Sequence, residues 1–263
     1  MSLSSQLLMI PGWASLFLIT LGGVGLSVLG FYWVHQRVPV SVRLVHNEVA
    51  GFLFSVVGVM YAVLLAFVIL VVWEQFHETR ANTQQEASAA LSLYRVLDAY
   101  ADYGQRPDPR PLLGNYLGQV IAEEFPAMAA MRPVELASLP LEQLWKAVGQ
   151  LTPADVRQQA VHQEMLSGLK ELERLRVLRL GDAQDEVPGA IWFALITGGI
   201  LTVAFAYFLG TENVRAHVLM IGVLAALISV VFFVVIQLDH PFTGMLSIDP
   251  DSFRQVAVLV VRS

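Results

Sequence analysis

Apolar residues fall into four long blocks, residues 13–34, 50–73, 190–209 and 216–238, and none of these contains Asp, Glu, Lys or Arg. Each is about 20 residues or slightly longer, the length with which an α-helix crosses about 30 Å of hydrocarbon. Backbone groups find no water there, so only helices or closed barrels can span it. Continuous apolarity excludes the alternating pattern of barrel strands. The predicted fold is an all-α membrane protein with four transmembrane helices. Between spans two and three, residues 74–187 turn polar and carry apolar positions at spacings of three and four, which predicts a helical soluble insert.

The second block does not stop where its apolarity does. From Val59 to Tyr103 there is neither Gly nor Pro, and the outer half is rich in Ala, Leu, Gln, Glu and Arg, all good helix formers. One helix over 50–103 is predicted, about 80 Å long at 1.5 Å per residue. Beyond the membrane its stripe is Phe76, Ala87, Ala90, Tyr94, Leu97 and Ala101. The run GQRPDPRP then breaks it, through Gly104, Pro107, Pro109 and Pro111.

Further helices are expected over 112–131, ended by Pro133, and over 141–151. The run TPAD predicts another, with Thr152 as N-cap, Pro153 at the first helical position and Asp155 as the acid of a capping box. Its stripe is Leu166, Leu169, Leu172, Leu175 and Leu178, it ends at Gly181, and Pro188 opens the third span. The tail turns at Gly244, and an amphipathic helix over 252–261 follows, capped by Asp251 or Ser252 and lying on the membrane or the insert. The chain so divides into 1–49 (first span and short loop), 50–103 (second span and its extension), 104–187 (insert), 188–239 (spans three and four) and 240–263 (tail).

Composition agrees with the pattern. The chain is 56% hydrophobic and 14% charged, against about a quarter charged in soluble domains. The leading residues lack a basic n-region and the first block exceeds an h-region, so it reads as a retained span. There is no cysteine, which removes disulfides, thiolate catalysis and Cys-ligated metals. Six His stand scattered, without an HxxxH pair, so neither metal nor cofactor is expected. Net charge is −6 without a basic run, which argues against nucleic acid. No serine-nucleophile motif and no ionised residue deep within a span occurs. That weighs against enzymes and proton-coupled transporters, though not against a passive pore.

Charge also bears on topology. The N-tail, insert and C-tail share one side, and loops 35–49 and 210–215 share the other. Arg37, Arg43 and Arg215 draw the short loops towards the cytoplasm. The insert, with 11 basic and 17 acidic residues, is compatible with export. Yet Arg80, Arg174, Arg176 and Arg179 lie near the membrane on the insert side, so the side of the insert stays open.

The candidate chemistry lies on the second span. Gly51, Ser55, Gly58, Ala62 and Ala66 share one helical face. Small residues let helices pack closely in lipid, or they line a pore and leave room for an ion; spacing alone favours packing. Gly22–Gly25 and the pair Gly198 and Gly199 read as packing glycines, since a phosphate loop would need a strand–turn–helix context. His46, Asn47 and Glu48 precede the span, and Glu74, Gln75 and His77 follow it. As single residues these are interfacial; in an oligomer each becomes a ring at a pore mouth.

The run HNEVAGFLFSVVGVMYAVLLAFVILVVWEQF, with the later YFLGTEN and LDHPFTG, resembles a bacterial family of membrane proteins described as bestrophin-like. The resemblance covers essentially the whole chain. It implies a bacterial inner-membrane protein, a four-span subunit assembled as a ring, a pentamer as in bestrophins, conducting inorganic anions through a pore lined by the second span. It also implies a cytoplasmic insert. One feature departs from it: Phe52, Phe54 and Phe67 lack the i, i+4 spacing of the bulky bestrophin neck, so no neck residue carries over. Two functions follow as expectations: an oligomeric ion channel, or a non-conducting sensor or scaffold whose insert binds a ligand or partner protein.

Overall fold

The computed structural model describes residues 10–101 and 108–261. Within these the chain is helical and without strands. The helices are α1 (Gly12–Arg37), α2 (Val40–Val45), α3 (Asn47–Ala101), α4 (Arg110–Gln119), α5 (Phe125–Ala129), α6 (Leu139–Gly149), α7 (Val156–Asp182), α8 (Gly189–Tyr207), α9 (Val214–Asp239) and α10 (Asp251–Val261). Contacts divide them into two units, Met1–Gln75 with Glu186–Asp239, and Phe76–Asp185 with His240–Ser263.

The first unit holds the four helices long and apolar enough to cross a membrane: α1, the first half of α3, α8 and α9. α1 stops because Pro39 forces Val38 into an extended conformation, φ −116° and ψ 109°, and the loop then re-forms as the single turn and a half of α2. Side chains such as Leu26 and Phe52 are about 70% bare (73% and 70%). In water such exposure would be costly; in hydrocarbon it matches the surroundings. The small core is Phe31, Tyr61, Val203, Ala206, Ile221 and Ile228. Tyr61 anchors α3 to α8: its ring lies over Gly198, where a Cβ would come within 2.6 Å, and its hydroxyl donates to the Leu195 carbonyl at 3.0 Å. Of the glycines read as packing residues, Gly23, Gly198 and Gly199 meet side chains; Gly22 and Gly25 face open space. Asp239, closing α9, accepts from the Val187 amide at 2.7 Å just ahead of α8.

The second unit is the soluble bundle: the rest of α3 with α4, α5, α6, α7 and α10. The stripe predicted along α3 is its buried edge, with Phe76, Ala87, Ala90, Tyr94 and Leu97 all within the core; the Ala101 side chain lies outside the described residues. The continuous helix over 50–103 is found as the 55-residue α3, and residues 102–107, holding Gly104 and Pro107 of the predicted breaker, lie outside the description.

Three local expectations are corrected. The helix over 112–131 is interrupted by a π-turn, Val120–Glu124, in which the Phe125 amide donates back to the Val120 carbonyl. Pro126 follows at once; it lacks an N–H and its ring crowds the preceding turn, so the widened turn absorbs it. Asp155, not Thr152, is the N-cap of α7: its carboxylate accepts from the Gln158 amide at 2.7 Å, and Gln158 accepts in return from the Ala154 amide at 3.0 Å. Leu169, Leu172 and Leu175 of the leucine stripe of α7 are buried, but it does not run on to Leu178, which is 37% exposed; the buried line at steps of four and three is Met165, Leu169, Leu172, Arg176 and Arg179. Steps of four and three follow the true helical pitch, whereas steps of three alone drift off the face.

In the tail, Gly244 takes the left-handed φ of 84° that a turn there demands. α10 begins at Asp251 itself, and Phe253, fully buried, stands edge-on to Phe125 with centroids 5.7 Å apart. The tail helix therefore packs on the insert.

Candidate functional site

The membrane half of α3 presents two unlike faces. One packs: Tyr61, Val68 and Val72 are buried. About a quarter turn away lie the five small residues, spread over about 22 Å at the helical rise. Ser55, Ala62 and Ala66 are exposed, Gly51 and Gly58 partly so. A Cβ built on Gly51 or Gly58 meets nothing within 4 Å. Among the described residues, then, nothing packs closely on Gly51 or Gly58. The Ser55 hydroxyl donates to the Gly51 carbonyl at 2.9 Å, so its remaining lone pairs face outward.

The polar residues flanking this span are dispersed. His46, exposed, contacts the Val42 carbonyl through Nδ1 at 3.1 Å. Asn47 is half-buried and spent in packing: its Oδ1 accepts from the Gly210 amide at 2.9 Å. Glu48 is exposed and lies about 40° from the mean direction of the small residues. At the far end Glu74 and His77 are both exposed. At about 100° per residue Glu74 falls about 120° from that direction and His77 about 60°. Arg80, which sequence reasoning did not include, falls in line with it. Tyr61, Val68 and Val72 are buried in the first unit, and Phe76, Thr79, Thr83 and Glu86 in the second. Arg80 borders a polar cavity of about 250 Å³ with Thr83, Gln84, Asp249, Asp251 and Ser252.

A second cluster was not anticipated. Arg176 and Arg179, counted from sequence among charges near the membrane, are 1% and 0% exposed. Arg179 donates through Nε to Glu86 Oε2 at 2.6 Å and through Nη2 to Glu124 Oε2. Arg176 donates to Glu124 Oε1 from Nη2 at 2.8 Å and Nε at 3.0 Å, and to the carbonyls of Leu136 and Glu135. The Tyr116 hydroxyl donates to Glu86 Oε1 at 2.6 Å. Two cations and two anions close on one another in the core, so the charge balances where water is excluded. Burial, followed by the Glu86 charge, holds the Tyr116 phenol well above its ordinary pKa. Burial alone would lower the Arg179 guanidinium, but Glu86, by charge and hydrogen bond, and Glu124 more than reverse this and keep it charged. The cluster joins α3, α4, the π-turn and α7, and fixes their register.

A family model described as a bestrophin-like domain matches residues 22–253. Among solved structures, a bacterial bestrophin homologue from Klebsiella pneumoniae aligns with 94% of this chain and 99% of its own, at 16% identity and a TM-score of 0.61. Another structure of the Klebsiella homologue aligns over 92% and 97%, at 17% identity and a TM-score of 0.64, and a third over 94% and 98%, at 18% and 0.64. At such identity the likeness speaks for the fold. No curated protein matches the chain.

Proposed function

Because this chain belongs to the bestrophin-like family, we propose that it is the subunit of an oligomeric ion channel in the bacterial inner membrane, with Gly51, Ser55, Gly58, Ala62 and Ala66 lining the pore. The observation that carries this reading is the bare slim face of α3. Small residues in lipid ordinarily mark a helix contact, as Gly198 and Gly199 do beneath Tyr61. Gly51 and Gly58 have no such partner in their own subunit. In a ring of five, the number the bestrophin likeness suggests, five such faces around one axis leave a passage bounded by small side chains, outward hydroxyls and helix backbone.

Anions are the preferred cargo. On the helical wheel of α3, Glu74 and Glu78 fall away from the direction of the small residues and Arg80 falls on it, though Asp249 and Asp251 border the same cavity as Arg80; the bestrophin likeness adds its weight to anions. A ring of guanidinium groups favours anions. No proton has to be handled, and the conduction path needs no ionisable group within the bilayer.

Purified oligomer in planar bilayers should give unitary currents, and Ser55→Trp, which fills the slim face with an indole, should abolish them while the oligomer still assembles. Cysteines placed at 55, 58 and 62, in a chain that has none of its own, should react with aqueous reagents. Unreactive cysteines with silent bilayers would instead favour a non-conducting sensor or scaffold whose slim faces are closed against one another.

A further inference from the structure

Two contacts fasten the membrane half of α3 to α8 and to the loop that follows it. Deep in the span, Tyr61 donates to the Leu195 carbonyl; at the loop end, the Asn47 oxygen accepts from the Gly210 amide. Asn47, Phe54 and Tyr61 stand seven residues apart, so all three lie on the packing side of α3. Between the two fastenings that side does not close. Phe54 borders a cavity of about 380 Å³, walled also by Leu209 just past α8 and by Ile221 and Leu224 of α9, with Asn47 and Thr211 at its loop end. All of these residues belong to the first unit.

The cavity is polar at one end only, and what that end has to spare is donors. The carbonyls that close α8 are already taken: Ala206 by His217 Nε2 at 2.9 Å, and Tyr207 by Arg43 Nη1 at 3.1 Å. Only the oxygen of Asn47 is engaged, so its amide nitrogen has two protons to give and no hydrogen-bond partner among the described residues. Thr211 Oγ1 accepts from the Asn213 amide at 3.3 Å and keeps its own proton for another acceptor.

Length follows the same polarity. Asn47 to Phe54 on α3 and His217 to Leu224 on α9 are each a step of seven residues, about 10 Å at the helical rise. That is about two thirds of one leaflet, whose hydrocarbon is about 15 Å deep. An apolar cavity of about 150 Å³ already takes benzene, and this one is larger. Met220, at its edge, is 67% exposed, so the cavity meets the hydrocarbon around the spans.

We propose that this cavity is a binding site for a phospholipid of the loop-side leaflet. One acyl chain lies between α3 and α9, and an ester or phosphate oxygen accepts from Asn47 and Thr211. Water would satisfy the donors but not the apolar walls, and a plain hydrocarbon the walls but not the donors. The site does not rest on conduction, for it lies about a quarter turn of α3 from the five small residues.

The test uses the full chain as purified, reconstituted in phosphatidylglycerol vesicles doped with the same lipid carrying a photoreactive diazirine midway along one acyl chain. After illumination, peptide mass spectrometry should find label on Phe54 and Leu224 several-fold above that on Leu26 and Phe52, the bare residues of spans one and two. Leu224→Trp, which fills the cavity, should bring that excess down to the level of the bare residues. Thr211→Val lies in the loop and decides the matter even if Leu224→Trp does not fold: one lost donor should cut the label at Phe54 by about twofold or more. Label spread evenly over the bare residues, an excess unchanged in Thr211→Val, or label from a diazirine fatty acid but not from the phospholipid would each overturn the site. So would label that appears only after the assembly is dissociated, which would make a second copy of the chain the occupant. The excess found together with silent bilayers would leave the lipid site standing and remove the channel.

Discussion

Arg179 and Glu86 meet at 2.6 Å, Nε to Oε2, with both side chains wholly buried and 93 residues apart in sequence. The pair brings α7 against α3, and Glu124 from the π-turn completes the charge balance. Isolated in a core, either residue would be an uncompensated charge. Arg179→Met should therefore lower the stability of the soluble unit by about 3–5 kcal/mol, the usual cost of breaking a buried pair from one side. Arg174→Ala, whose partner Glu171 is on the surface, should leave the melting temperature where it was. Chemical denaturation followed by circular dichroism separates the two.

The Tyr116 phenol gives this cluster a pH signature. Its folded pKa lies above the ordinary value because burial and the Glu86 charge oppose ionisation, while in the unfolded chain it ionises near about pH 10. A folded pKa raised above the unfolded one means a contribution fully present below about pH 10 and lost as the pH climbs beyond it. Alkaline melts of the wild type should fall more steeply above that point than those of Tyr116→Phe. Below it, Tyr116→Phe should cost about 1 kcal/mol for the lost hydrogen bond.

Glycines on α3 and α8 should respond in opposite senses. Gly198→Ala places a methyl group 2.6 Å from the Tyr61 ring and should reduce the yield of folded subunit, since a packed core accepts such overlap only by shifting. Gly58→Ala meets nothing in its own subunit and should fold at least as well, gaining up to about 1 kcal/mol of helix propensity. Size-exclusion chromatography after solubilisation reads both. A failure of Gly58→Ala to assemble, with its subunit folded, would reveal a closed seam between copies.

If Arg80 stands at the pore, its charge sets the preference of that mouth. Arg80→Glu should move the reversal potential under a salt gradient towards the cation value, and Glu74→Lys, about a third of a turn away, should move it far less. Equal shifts from the two would show that the aqueous half of α3 does not face the axis.

Part of this was legible in the residues themselves. The uncharged blocks had to be membrane helices, because hydrocarbon tolerates nothing else of that length. The Gly- and Pro-free run after Val59 had to carry on as one helix, and α3 does. Asp155 was recognised as a capping acid but placed three positions too far into the helix, since several adjacent polar residues can cap and only the backbone geometry selects one.

Arg176 and Arg179 mark where sequence reasoning stopped. Their spacing from Leu169 and Leu172 follows the helical pitch, so the apolar stripe already pointed at them; yet a charge on a buried face is affordable only beside its counter-charge, and Glu86 and Glu124 are distant in sequence. The same holds for the slim face of α3. Sequence alone determined that five small residues share one side of a membrane helix, because periodicity is a local property of the chain. Only the tertiary structure decided that Tyr61 takes the packing and leaves that side bare, because which face of a helix is covered depends on what the rest of the chain brings against it.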